Sequence, residues 1–178
     1  MIIKTKTRTE QILTVMLVLA WIAYIGSLIK VGAILISYGV SFVNPEASKN
    51  LFMGDDLSDL RQLNFWYYTM SVSFMVAFSG MKAYVASLVV KTLSKVNMIN
   101  PFTAEVAGIL ERISYVLFGT WMVATFNNGF ADWLMKNTEV VHELWEVKEF
   151  IFIAGLVFII SQIFKRGVEI QSENDLTV

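Results

Sequence analysis

Four stretches of the chain stay apolar for long enough to span a bilayer, and most charged positions are gathered between them. Residues 12–29 (ILTVMLVLAWIAYIGSLI) carry no charge. At the helical rise this run covers about 27 Å, close to the thickness of a hydrocarbon core. The apolar pattern passes through Lys30 into VGAILISYGVSFV and breaks at Asn44-Pro45. One tilted helix of about 30 residues is therefore predicted. Residues 65–81 (FWYYTMSVSFMVAFSGM) form the second crossing, with a helix running to about Ser94. Trp66, Tyr67 and Tyr68 stand at its start, where an aromatic belt belongs. The third is 113–130 (ISYVLFGTWMVATFNNGF), entered through EVAGILER and followed by Trp133. The fourth, 150–164 (FIFIAGLVFIISQIF), is short unless residues 144–147 extend it, with Trp145 marking its outer end.

A backbone in hydrocarbon must satisfy its own hydrogen bonds, and these windows are too long and uniformly apolar for barrel strands. The expected fold is all-α, a four-helix transmembrane bundle whose long helices extend beyond the bilayer. Its cores lie at 12–30, 65–83, 112–131 and 147–165, its outer loops at 44–63 and 132–146. The inner connection is 95–103 and the cytoplasmic tail 167–178. The basic start MIIKTKTR admits a cleaved signal peptide as the alternative, against which stand the length of the run and its lack of a small-x-small site.

Composition supports lipid as the solvent: 56% of the 178 residues are apolar and 16% charged, where a soluble domain has about a quarter charged. The absence of cysteine excludes disulfides and thiolate metal sites. The single histidine, His142, excludes a multi-histidine centre. A net charge of −1 without a basic tract gives no expectation of direct nucleic-acid binding. Orientation follows from the basic residues. With both termini inside, Lys4, Lys6, Arg8, Lys82, Lys91, Lys95, Arg112, Lys165 and Arg166 face the cytoplasm, against Lys30, Lys49, Arg61, Lys136 and Lys148 outside.

The loops carry weaker signals. In GDDLSDL, Asp55 or Asp56 is expected to cap a short helix near Leu57. A calcium site there would lack the EF-hand spacing and terminal glutamate. In KVNMINPFT, Asn100 is expected at the N-cap and Pro101 at the first helical position of the third long helix. FVNPEAS and MINPFTA look alike over too few positions to establish a duplication. The polar tail after Arg166 reads as a short extension or a frayed helix end.

Charges near the membrane windows are the candidate functional residues. Lys30 and Lys82 can each snorkel to headgroups. Alternatively, Ala23, Gly26, Ser27, Lys30, Ala33 and Ser37 form a small polar stripe that packs inward. An inward Lys30 then needs Asp132, Glu149 or a wet cavity. Lys82 is expected to meet Glu111 or Glu105, near a seam of Gly108, Arg112, Tyr115 and Gly119. No HExxH, phosphate loop, nucleophile elbow or paired-histidine arrangement occurs. No catalytic residue, metal or cofactor is therefore expected.

Three stretches, NLFMGDDLSDLRQLNFWYYT at 50–69, KAYVASLVVKTLSKVNMINPFTAEVAGILERISYV at 82–116 and FIISQIFKRGVEIQSENDLTV at 158–178, make the chain resemble the bacterial membrane proteins grouped as domain of unknown function 2975. The NPF segment and the QIFKRG exit are its most specific parts. The resemblance implies a small four-pass protein of the bacterial inner membrane. Some members are encoded beside DNA-binding regulators, which implies a regulatory protein partner and assigns no chemistry. The function expected is that of a non-enzymatic accessory or regulatory protein working through protein or lipid contacts, as a monomer or homo-oligomer. A small transporter or channel is the alternative, and a membrane enzyme the third reading.

Overall fold

A computed structural model describes residues 8–96, 101–140 and 144–175. Helix α1 (Arg8–Ser41) is followed by a 3-10 turn (Pro45–Lys49), a short α2 (Ser58–Leu63), and three long helices, α3 (Phe65–Lys95), α4 (Ala104–Asn137) and α5 (Lys148–Asp175). All four long helices have the length and apolar content of membrane spans. The chain is a multi-pass α-helical membrane protein.

Local chemistry sets the helix ends. Asn44 closes the break after α1, its Oδ1 accepting from the Glu46 amide (3.1 Å) as Pro45 opens the 3-10 turn. Asn64 caps α3, accepting from the Trp66 amide at 2.8 Å. The cap of α4 is Thr103, whose hydroxyl accepts from Val106 N–H at 3.2 Å, so the helix begins at Ala104, three residues beyond the position expected from Pro101. Asn100 lies outside the described residues. Residues 167–175, read from sequence as an extension or frayed end, continue α5. An Arg166–Glu169 pair at 2.7 Å supports that turn.

Consecutive long helices are antiparallel neighbours: α1 packs on α3, α3 on α4 and α4 on α5. Tyr38 meets Tyr68 and Phe42 meets Phe65 across the first pair. Tyr67 meets Trp133 across the second, and Tyr115 meets Phe158 across the third. Among the described residues α1 does not pack on α4 or α5. One end of the bundle carries segments 42–64, 138–140 and 144–147 and is termed the loop end; the other is the terminal end.

The α1 seam is Leu13, Leu17, Ala20, Tyr24, Ser27, Val31, Ile34, Tyr38 and Ser41, all buried or half-buried. Its alternating four- and three-residue steps keep one stripe on a helix partner. Lys30, Ala33 and Ser37 are half-buried beside it, whereas Ala23 and Gly26 of the expected inward stripe are exposed. The rest of α1 presents bare apolar side chains, with Ile22 63% and Ile36 68% exposed. Such a face is stable only in contact with lipid or another apolar surface.

Two separate cores result. Near the loop end, Ile34, Leu51, Leu57, Tyr68, Val72 and Met75 join α1, α3 and the intervening loop. Nearer the terminal end, Leu88, Ile109, Ile113, Leu117 and Ala154 join α3, α4 and α5.

Candidate functional site

A cavity of about 330 Å³ lies between the two cores. Its polar wall is Lys30, Asp55, Ser79, Lys82 and Glu146; its apolar wall is Met75, Phe78, Trp145 and Phe150. Four chain segments build it: α1, the loop carrying Asp55, α3, and the junction into α5.

Asp55 reaches the cavity through a tight turn. Asn50 Oδ1 accepts from Gly54 N–H at 3.0 Å, and Leu51 N–H donates to the Asp55 carbonyl at 2.9 Å. The turn places Met53 at φ 50° and Gly54 at φ 102°; glycine takes such a φ without the clash a Cβ brings. Leu51 and Leu57 are buried on either side and anchor the loop in the first core. Asp55 Oδ2 lies 3.6 Å from Lys30 Nζ, and the same ammonium sits 5.3 Å above the Phe52 ring. The neighbouring Asp56 precedes the cap position, Leu57, which makes no side-chain cap bond; the Asp56 Oδ1 accepts from Ser58 N–H at 2.8 Å in a turn leading into α2. Hydrogen bonds from Ser58 hold the Asp56 carboxyl below the usual carboxylate range.

Lys82 approaches from α3. Its ammonium stands 4.6 Å from the Phe78 ring centre and 5.7 Å from that of Phe150. No carboxylate pairs with it among the described residues. Taking the Tyr38–Tyr68 contact as level, Lys82 sits about 9 Å nearer the terminal end than Lys30. Side chains tilt toward the N-terminus of their own helix. In antiparallel α1 and α3 that tilt turns the two lysines toward one another.

The third wall depends on α4. Asn128 Nδ2 donates to the Trp145 carbonyl (2.8 Å), and its Oδ1 accepts from the Trp145 amide (2.9 Å). This holds Trp145 against Phe78, with ring centres 4.6 Å apart. Phe150, at the start of α5, closes on the same ring at 5.6 Å.

The remaining candidate residues go elsewhere. Glu111 pairs with Lys165 at 2.7 Å and Glu105 with Lys95 at 3.4 Å, so neither meets Lys82 as expected. The register explains this: Met81 lies against Gly119 and Lys95 against Glu105. Glu111 is thereby left about 10 Å nearer the terminal end than Lys82. Asp132 and Glu149 are exposed and do not reach Lys30, because α1 contacts only α3 among the long helices. Arg112 is exposed as well.

Asn128 and Phe78 were not singled out from sequence. The consecutive amides Asn127-Asn128 in an otherwise apolar window were the available signal, since such groups require partners in hydrocarbon. Asn127 is fully buried, and neither of its amide atoms has a hydrogen-bond partner among the described residues. Among those residues no three His, Cys, Asp or Glu side chains gather as a metal site. The chemistry available at the cavity is charge recognition beside aromatic faces. Comparison with known families, known proteins and solved structures finds no match to this chain.

Proposed function

We propose that this chain is a non-enzymatic accessory or regulatory protein of a bacterial inner membrane, with the cavity as its input and the terminal end as its output. One observation carries the reading: the cavity is where α1 and the start of α5 face each other, although these helices do not pack together. What fills the cavity thus governs how the α1–α3 core sits against the α3–α4–α5 core. Packed interfaces move between discrete arrangements rather than deforming smoothly. The Glu111–Lys165 pair and the α5 extension then carry a change to a partner at the terminal end.

The excess of basic residues at that end supports its placement in the cytoplasm, with both termini inside. The resemblance to domain of unknown function 2975 supports a regulatory partner. The test is photo-crosslinking in native membranes from a probe at Glu169, comparing the native chain with Lys82→Met. A discrete protein adduct whose yield changes with the cavity variant is expected. An absent adduct, or one indifferent to Lys82, overturns the reading.

The same cavity favours a second reading, a small carrier for anions. Lys82-dependent flux of a labelled organic anion in proteoliposomes would select it over the regulatory one.

A further inference from the structure

We infer that the cavity between α1, α3 and the start of α5 binds one oxyanion, a carboxylate or phosphate attached to a small apolar body, with Lys82 as its primary contact. The inference rests on the reading of the cavity as the input site and names what enters it.

The argument begins with the charges. Lys30 has Asp55 as an ion-pair partner at 3.6 Å, a separation longer than a hydrogen bond. Lys82, an exposed residue, has among the described residues only the Phe78 and Phe150 faces. Aromatic faces attract an ammonium far less strongly than a carboxylate or phosphate does. Ring contacts leave its N–H donors without an acceptor, and those donors belong to a side chain that lines the cavity. Lys82 does not snorkel toward the terminal end: its ammonium lies over Phe78, one turn back toward the loop end. The position therefore presents a cation with no carboxylate partner among the described residues to a half-open cavity.

The walls specify the rest of the ligand. Met75, Phe78, Trp145 and Phe150 offer an apolar, largely aromatic surface beside that cation. The volume, about 330 Å³, is roughly that of ten water molecules and lies at the small end of ligand pockets. It exceeds what a halide needs and suits a compact organic acid or the headgroup region of an anionic lipid. Glu146 also lines the cavity and makes no ion pair among the described residues. It disfavours dianions and is the internal competitor for Lys82.

The experiment uses the full chain in phosphatidylcholine nanodiscs, with 4-fluorobenzoate as the probe followed by fluorine NMR. Saturable binding is expected, weakened about tenfold or more in Lys82→Met, retained in Lys82→Arg, strengthened in Glu146→Gln and unaltered in Asp59→Asn on the exposed face of α2. Protection of native Lys82 from an amine-reactive reagent by the probe gives the same information without a substitution. Inorganic phosphate displaces the probe if the site reads the oxyanion itself. Phosphatidylglycerol in the nanodisc displaces it if the physiological source is a lipid headgroup; failure to do so assigns a soluble anion. The inference is overturned by absent saturation, by an unchanged affinity in Lys82→Met, or by no protection of Lys82. Binding that leaves the Glu169 adduct unaffected would retain the site and remove the regulatory reading.

Discussion

Asn128 grips the backbone of Trp145 from both sides, donating to its carbonyl and accepting from its amide across 17 residues of chain. A side-chain amide thus stands in for a backbone partner. The segment before α5 is held along α4, and the cavity acquires its aromatic wall.

Adjacent asparagines should consequently respond in opposite ways. Asn128→Leu removes both bonds and leaves the Trp145 backbone groups unpaired, a loss of about 1–3 kcal/mol. Asn127→Leu replaces a buried amide that has no partner among the described residues, and should raise stability by about 1 kcal/mol. Unfolding midpoints in detergent will show the difference in sign.

Gly167 has a steric task at the terminal end. A Cβ there would lie 2.6 Å from Phe102 Cδ1 and 2.8 Å from its Cγ, so the ring would have to leave. Gly167→Ala is expected to cost about 1–3 kcal/mol by overpacking. In the Phe102→Ala background the same substitution should be close to neutral. A double-mutant cycle of thermal midpoints measures the coupling.

The Glu111–Lys165 pair ties α4 to α5 at 2.7 Å, with Tyr115 also directed at the carboxylate. Glu111→Lys and Lys165→Glu should each lower the midpoint, and the double reversal should recover most of the loss. Equal loss in all three variants would show that the pair is not a contact in the folded protein.

The loop bearing Asp55 should loosen in acid. The native Asp56 carboxyl titrates below its unfolded value because of the Ser58 hydrogen bonds. Its contribution is complete above the ordinary carboxylate range and is lost as pH falls through the lower, native value. Protection of the Ser58 amide, normalised for intrinsic exchange, should decline across that acidic window. Asp56→Asn keeps an acceptor and should make the protection independent of pH there.

Legibility differed by the range of the interaction. The helices were readable because each crossing is dictated by its own apolar run and satisfies its own backbone. Local ends were partly readable: Asn44-Pro45 does break the chain, and Asp56 does serve the entry to α2. Thr103 nevertheless takes the α4 cap from the more conspicuous Asn100-Pro101. Several nearby side chains can cap the start of a helix.

Pairing across helices was not readable. Lys30 met the loop residue Asp55, Glu111 met Lys165, and Lys82 met aromatic rings. A shift of two turns exchanges one set of charge partners for another while leaving every hydrophobic window intact. By itself the sequence determined that four helices cross the membrane, because hydrocarbon length and backbone satisfaction act on each segment alone. Only the tertiary structure decided which charges meet and where the cavity opens, because helix register, the α1 seam and the Asn128–Trp145 clamp are properties of several segments at once.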